Sequence, residues 1–317
     1  MTVDVVVVSY ESRAQLRGCV LPLAREPGVR VIVVDNASSD GSLATVADLP
    51  VERIALDENH GFAAGCNVGC RAGDAPAVLF LNPDARIDAG SLARLLAELG
   101  RDASIGVVAP KIVDEHGNVE PSQRRFPALR STYARAFFLH RVFPNATWAD
   151  ELIRDVRAYE EPGSPDWVSG ACILVRRRAL DAIGGLDEEF FLYGEDIDLA
   201  RRLRSAGYGV RFEPAAVAVH EGGRSGHRPR LLPLLAESRL RYLRRHHSRL
   251  EVALARIGLA LNAFTHVLFS SGGYQQRLGH ARSLPLIVFN RTGAAGCAAS
   301  SAAAITTTLA GAGRRAT

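Results

Sequence analysis

The feature that most constrains the fold is a set of short apolar runs in the first hundred residues, most of them closing on a polar residue. Val3–Ser9 is largely valine, Val29–Val34 ends at Asp35, and Ala77–Leu81 runs into Asn82-Pro83-Asp84, with a further strand expected over Val51–Leu56. Short runs rich in β-branched residues and without polar alternation fit strands buried on both faces. Between them lie segments predicted to be helical: Ser12–Arg25 with Ser12 as N-cap, Ser42–Asp48, His60–Arg71, and Ala89–Gly100. Strand–helix alternation of this kind implies an α/β fold, with a mostly parallel central sheet flanked by helices on both faces.

The pattern then weakens. Pro110, Pro121, Pro127, Pro144 and Pro162 break the stretch from Ile105 to Pro165, which reads as a loop-rich insertion. Order returns with a strand over Trp167–Arg177, a helix from Glu195 to Ala206, strands at Val210–Phe212 and Ala216–His220, and helices over Leu231–Arg249 and Leu250–Phe269. Residues Gly293–Thr317 are rich in Ala, Gly, Ser and Thr, and disorder is expected there. The expected organisation is an α/β domain over 1–225 with an insertion at about 114–165, a helical extension over 226–290, and a low-complexity tail over 291–317.

A net charge of +4 over 317 residues does not describe a nucleic-acid binder. The arginines between Arg224 and Arg249, with His227, His246 and His247, form either a solvated helix face or a surface for phosphate or anionic lipid. Cys19, Cys66, Cys70, Cys172 and Cys297 are odd in number and contain no CxxC pair, which argues against a disulfide framework or zinc site and fits a reducing cytoplasm. Met1–Tyr10 lacks a basic leader region, so no signal peptide is expected. Val252–Phe269 is apolar but holds Arg256, Asn262 and His266, which are costly in lipid. It is expected to be a packed helix or one lying on a membrane surface, rather than a span.

Open parallel sheets bind ligands beyond the carboxyl ends of their strands. Ser9-Tyr10-Glu11, Asp35-Asn36 and Asn82-Pro83-Asp84 fall there. Asp35 either accepts hydrogen bonds from a nucleoside or forms a turn with the Ser and Gly residues after it. A dinucleotide-binding enzyme needs a glycine-rich turn after the first strand, and here that turn is Ser9-Tyr10-Glu11-Ser12-Arg13. Without such a turn a diphosphate needs a cation, and Asp84 can hold Mg2+ or Mn2+, if it is not simply part of a turn. Further on, Glu195, Asp196 and Asp198 open a helix after the bulky run Phe190–Tyr193. Acids favour helix N-termini for dipole reasons, yet an apolar surrounding also raises proton affinity and suits a general base. Helical spacing places Glu195 and Asp198 on one face and turns Asp196 away. His220, followed by Glu-Gly-Gly, Arg224 and Ser225, suits a metal or diphosphate contact.

Taken in order, these segments resemble the family 2 glycosyltransferases of the GT-A fold, in particular their rhamnosyltransferase-like branch. The resemblance covers about Val3 to Arg249. It rests on Val-Val-Ser-Tyr; Val-Val-Asp-Asn-Ala-Ser-Ser-Asp-Gly-Ser; Asn59-x-Gly-Phe-Ala-Ala-Gly-x-Asn67; Phe-Leu-Asn-Pro-Asp; Trp167-Val-Ser-Gly-Ala; Gly-Gly-Leu-Asp-Glu-x-Phe-Phe-x-Tyr-Gly-Glu-Asp-x-Asp-Leu; and His220-x-x-Gly-x-Ser225. It implies an inverting, metal-dependent sugar transfer. Ser9, Tyr10, Glu11 and Asp35 would contact the nucleoside. Asn59, Gly61, Phe62 and Asn67 would line the donor pocket, with Gly61 and Gly65 allowing close backbone approach. Asn82 and Asp84 stand for the family's DxD-type site, Asp84 and His220 would hold the metal, Trp167 and Gly170 would face the sugars, and Arg224 and Ser225 would meet the diphosphate. Asp196 matches the catalytic base, with Glu195 beside it. The sequence departs from the pattern in keeping one carboxylate in Asn-Pro-Asp and in carrying Glu11 where Asn is common.

The resemblance further implies a nucleotide-sugar donor, best taken as dTDP-rhamnose, with a UDP- or GDP-sugar as the alternative. The acceptor would be a glycan or a polyprenyl-diphosphate-linked glycan in cell-envelope synthesis, at the cytoplasmic face of the membrane with peripheral contact. A binding protein without turnover is the remaining alternative, and the intact Glu195-Asp196 pair argues against it.

Overall fold

The apolar runs become strands because a sheet covered on both sides needs residues that are apolar on both sides. In the computed structural model, which describes residues 1–221, 229–269 and 273–289, every residue of β1 (Val3–Ser9) and β4 (Ala77–Leu81) is buried. With β2 (Val29–Asp35) and β3 (Glu52–Ala55) they form the parallel half of one sheet, in register from Val3↔Val29 to Ser9↔Asp35 and from Val3↔Ala77 to Val7↔Leu81. The remaining strands are β5 (Ala85–Ile87), β6 (Ile105–Val113), β9 (Cys172–Arg176) and β10 (Gly209–His220), giving the order β3-β2-β1-β4-β9-β6-β10-β5. β9 runs antiparallel to both β4 and β6, and β5 antiparallel to β10, so the sheet is mixed. A separate ribbon pairs β7 (Gln123–Arg124) with β8 (Trp167–Val168).

The helices over this sheet are α1 (Leu16–Val20), α2 (Phe62–Ala72), α3 (Ala89–Arg101), α6 (Arg177–Ala182) and α7 (Glu195–Ser205). α3 starts where Asp88 accepts from the Ser91 amide at 2.7 Å, a side-chain N-cap. α2 lies unusually close to β1. A Cβ on Gly65 would come within 2.7 Å of Val8 Cγ1, and one on Gly69 within 2.4 Å of Val6 Cγ1. The close approach that Gly65 permits is therefore to the sheet and not, as the sequence suggested, to a donor. Asp4, the one acid inside the valine run, is neutralised by Arg177 at 2.8 Å and accepts from the Ala75 amide.

Several expected boundaries moved. The helix expected over Ser12–Arg25 is reduced to Leu16–Val20, and Ser12 gives its hydroxyl to the Tyr10 carbonyl instead of capping. Ile105–Val113, expected in the irregular stretch, is an inner strand. Pro110 is tolerated because it pairs with Glu213, where the register of β10 shifts. That shift also makes a single bulged strand of the two expected at 210–212 and 216–220. Trp167–Arg177 splits into β8 and β9 around Ser169-Gly170-Ala171.

Two compact units emerge. The first takes in Met1–Arg125, Asp155–Phe191, α7 and β10. The second groups Phe126–Arg154 and Leu192–Gly194 with the C-terminal helices. Residues 126–154 were expected as part of an insertion in the first domain. They form α4 (Leu129–Ala136) and α5 (Leu139–Val142), and α4 packs on α9 (Arg249–Phe269). Gly258 makes that packing close, since a Cβ there would meet Thr132 Cγ2 at 3.0 Å. α8 (Leu232–His246), α9 and α10 (Gly273–Phe289) share a small core of Leu240, Ala263 and Ile287. The expected disordered tail lies outside the described residues.

Candidate functional site

All the described site residues expected from the sequence belong to the first unit, most of them where strands end. Ser9 closes β1 beside Asp35. Its hydroxyl is buried without a hydrogen-bond partner among the described residues, while its carbonyl accepts from the Asn36 amide at 2.8 Å. Asp35 is nearly fully buried and accepts from the Ser38 amide at 3.0 Å and the Ser38 hydroxyl at 2.6 Å, so it does form the turn. Tyr10 is partly buried after β1. Glu11 sits at φ +50 and accepts from the Ser39 amide at 2.6 Å and the Ser39 hydroxyl at 3.0 Å. Its carboxylate thus orders the loop that follows Asp35.

Asn36 links this loop to the next. Its Nδ2 donates to the Gly61 carbonyl at 2.9 Å, and its Oδ1 accepts from the His60 amide at 3.2 Å. Asn59 accepts from the Gly61 amide at 3.0 Å, and Phe62 donates from its amide to Phe191 O at 2.7 Å. Gly61 is required twice over: its φ is +91, and a Cβ would lie 2.4 Å from Phe191 O. Asn67 stands apart from this loop. Its Nδ2 donates to Leu186 O at 2.8 Å and Glu188 Oε1 at 2.9 Å, and its Oδ1 accepts from the Leu186 amide at 2.9 Å. The sequence placed Asn67 in a donor pocket. In the structure its amide holds α2 to the segment at 186–188.

The Asn-Pro-Asp turn connects to the acidic helix through the break between β8 and β9. The Asn82 amide donates to Ala171 O at 2.9 Å, and the neighbouring Gly170 amide lies 3.3 Å from Asp196 Oδ2 and donates to it. Asp196 Oδ1 accepts from the Ile197 amide at 2.8 Å. Burial pushes the Asp196 carboxyl above its ordinary value, against the amides of Ile197 and Gly170 and the positive Arg124. Glu195 is also raised, first by burial and then by the Asp196 charge, and its Oε2 has no hydrogen-bond partner among the described residues. Asp198, the third acid, is fully buried and bonded to Arg202 Nε at 2.6 Å. Arg202 in turn donates to Ile183 O and Gly185 O, so Asp198 is structural.

Trp167 is buried, with its Nε1 donating to Arg125 O at 3.0 Å and the Arg124 guanidinium 5.2 Å from its ring centroid. A cation therefore sits over a face that the sequence had offered to a sugar.

Antiparallel pairing of β5 with β10 sets His220 against Ala85, which brings it to Asp84. His220 Nε2 is 3.3 Å from Asp84 Oδ1, in an alignment that makes no hydrogen bond, while Nδ1 is 3.1 Å from Glu120 Oε2. Burial opposes protonation of His220, but the two flanking carboxylates outweigh it and its pKa is raised. Among the described residues no three His, Cys, Asp or Glu side chains form a metal cage. The pair still fits an ion in part. Two ligands on one octahedral ion with bonds near 2.1 Å stand about 3 Å apart, close to the Asp84–His220 separation. A carboxylate on the far nitrogen is the usual way to aim an imidazole at a metal. Arg224 and Ser225 lie outside the described residues.

Glu120 and Arg124 were not singled out in the sequence. Glu120 is carried by a hairpin after β6, closed by the Gly117 amide on Asp114 O at 3.0 Å and by the Val113↔Val119 bridge. Asp114, Gly117 and Asn118 are recognisable turn residues, but a partner a hundred positions away leaves no local signal.

With this geometry in place, comparison with known proteins assigns the class. Glycosyl transferase family 2 matches residues 4–184, and the chain belongs to that family. It is an enzyme of the glycosyltransferase class on the GT-A fold. The N-acetylglucosaminyl-diphospho-decaprenol L-rhamnosyltransferase of Mycobacterium tuberculosis is 34% identical over 254 residues, 75% of this chain and 82% of that protein. A rhamnosyltransferase of Escherichia coli K12 is 28% identical over 155 residues, 47% of this chain and 54% of its own. Among solved structures, a mannosyltransferase from Pyrobaculum calidifontis in complex with GDP-Man and Mn2+ superimposes with a TM-score of 0.55 at 19% identity, covering 97% of this chain and 86% of that one.

Proposed function

We propose that the protein transfers L-rhamnose from dTDP-rhamnose to a hydroxyl of a polyprenyl-diphosphate-linked glycan in cell-envelope synthesis, at the cytoplasmic face of the membrane, with inversion at the anomeric carbon. One observation carries the reading. The Asp196 carboxylate, partly buried and raised in proton affinity, is bonded to Gly170, next to the residue that holds the Asn82-Pro83-Asp84 turn. A base and a diphosphate-side carboxylate are thereby fixed to one short stretch of backbone. The names of the mycobacterial and enterobacterial relatives support rhamnose, and the former supports a lipid-diphosphate acceptor.

In this reading Asp196 accepts the proton of the acceptor hydroxyl as its oxygen attacks the anomeric carbon and the bond to the nucleoside diphosphate breaks. Gly170 and Ile197 orient the carboxylate. Burial and the closeness of Glu195 to Asp196 disfavour two charges on the pair at once. Ser9 and the loops held by Glu11, Asp35 and Asn36 border the nucleoside, and Asn59, Gly61 and Phe62 border the donor. Asp84 and His220 would hold Mn2+ or Mg2+, with Glu120 fixing the imidazole. When bound, the cation stabilises charge on the departing diphosphate. Holding both substrates in place supplies much of the rate.

The test is donor turnover. The purified protein is incubated with dTDP-, UDP- and GDP-sugars, with and without Mn2+ or Mg2+ and a lipid-linked acceptor, and released nucleoside diphosphate is measured. Metal-dependent cleavage of dTDP-rhamnose, lost in Asp84→Ala and Asp196→Asn, is expected. Cleavage of a UDP- or GDP-sugar instead would replace the donor. Tight donor binding with no turnover under any condition would leave a binding protein.

A further inference from the structure

α9 carries two different faces. One is packed: Ala255, Gly258, Ala263 and His266 are buried, with Gly258 against α4 and Ala263 in the core shared with α8 and α10. The other is apolar and bare. Leu250, Leu254, Ile257, Phe264 and Leu268 are 69%, 37%, 59%, 52% and 47% exposed, and Leu261 between them is partly exposed. Their spacing of four, three, four, three and four residues draws one stripe along the helix, about 27 Å long at 1.5 Å per residue. Bare apolar stripes of this extent mark contact surfaces.

The rest of the helix identifies what the stripe meets. One of its flanks, Ala253, Ala260 and Val267, carries no charge, and the other, Glu251, Gly258 and Thr265, carries only Glu251. A helix seam between two protein copies usually has charged residues in those places. Two charges of α9 are engaged locally: Arg256 donates to Ile287 O and Val288 O of α10, and Glu251 accepts from the Ser248 amide and hydroxyl. α9 is long and apolar enough to cross a bilayer, but its other face is committed to α4 and α10, which a crossing would strip away. At the start of the stripe stand the exposed Arg244, Arg245 and Arg249.

We infer that the Leu250–Leu268 stripe of α9 is a membrane-docking surface that lies in the interface of an anionic bilayer, with the arginines at the α8–α9 junction meeting lipid phosphates. Apolar side chains enter the acyl boundary while cations stay at headgroup level. This deepens the lipid-linked acceptor reading by naming the face that contacts the bilayer, yet it stands on α9 alone.

The experiment is vesicle co-sedimentation of the full chain without donor or acceptor, so failure here leaves the transferase reading untouched. Vesicles are phosphatidylcholine alone or with a third phosphatidylglycerol, at low and high salt. At least tenfold more protein is expected on the anionic vesicles at low salt, falling as salt rises. Ile257→Gln with Phe264→Gln should lower partitioning at least tenfold. Arg245→Glu with Arg249→Glu should remove the preference for anionic lipid. Circular dichroism and donor turnover in solution should stay unchanged in both. Absence of sedimentation on anionic vesicles overturns the inference. So does a stable dimer in analytical ultracentrifugation that Ile257→Gln dissociates, which would assign the stripe to a second copy.

Discussion

Replacing Asn67 with alanine separates two roles that the sequence confuses. The side chain is buried and makes three hydrogen bonds, two of them with the buried backbone of Leu186. The third partner, Glu188, is half exposed and regains water when the bond is lost. Asn67→Ala therefore leaves one amide and one carbonyl of Leu186 buried without partners. Each such group costs about 1–3 kcal/mol, so a loss of about 3 kcal/mol is expected. For a unit of this size each kcal/mol moves the melting temperature by about 2–4 °C, a drop of about 6–12 °C. The assay is thermal unfolding by circular dichroism, paired with the KM for the nucleotide sugar well below the transition. The donor KM should change less than about twofold, since in the structure the Asn67 amide turns to 186–188. A melting temperature within about 1 °C of the parent, together with a KM raised tenfold, would refute the reasoning and return Asn67 to the donor pocket.

The remaining predictions concern the acids and the histidine. Because the Asp196 carboxyl is raised and must be unprotonated to accept a proton, turnover should rise with pH through an acid limb above the ordinary carboxyl value of about 4. A pH–rate profile with no acid limb above the ordinary carboxyl value would count against Asp196 as base. The same shifts set the sign for stability. Glu195 and Asp196 are raised in the folded state, so their contribution is fully present below the unfolded pKa and is lost as pH rises through the folded one. Asp196→Asn should thus be inactive yet, by urea unfolding at pH 8, at least as stable as the parent. Asp198→Ala should cost about 3–5 kcal/mol by leaving the largely buried Arg202 guanidinium without its carboxylate, and an unchanged denaturation midpoint would contradict that role. Glu120→Gln should weaken Mn2+ binding in the presence of nucleoside diphosphate by about 10–100-fold, read by calorimetry without any turnover. Equal affinity would mean that His220 needs no help from Glu120.

What could be read in the sequence was whatever is fixed by neighbours along the chain. Val3–Val8 and Ala77–Leu81 declare themselves as buried strands because both are too short for a typical helix and lack polar alternation, and the first is rich in β-branched residues. The Glu195-Asp196 pair after Phe190-Phe191 announced a desolvated acid, and burial is the first cause of its shift. What could not be read depends on distant pairing. Pro110 looked like a loop residue because the register shift in β10 that accommodates it lies a hundred residues later. Gly65 looked like a donor contact because nothing local shows that Val8 fills the space above it. Asp198 matched Glu195 in type and face, and only the bond to Arg202 separates a structural acid from a chemical one.

The position of β9 bears on how the chain reaches this fold. β4 is buried on both faces, and its partner on the side away from β1 is β9, which follows some ninety residues later in the chain. While the protein is being made, β3, β2, β1 and β4 can pair as soon as residue 81 has left the ribosome, but the outer edge of β4 then stays open until residues 172–176 appear. An apolar strand with a free row of amides and carbonyls is an adhesive surface for other chains. Closing it requires a long loop to be ordered first, which is slow. Synthesis therefore passes through an interval in which half a sheet is formed and unsealed, and β9 is the segment that ends that exposure.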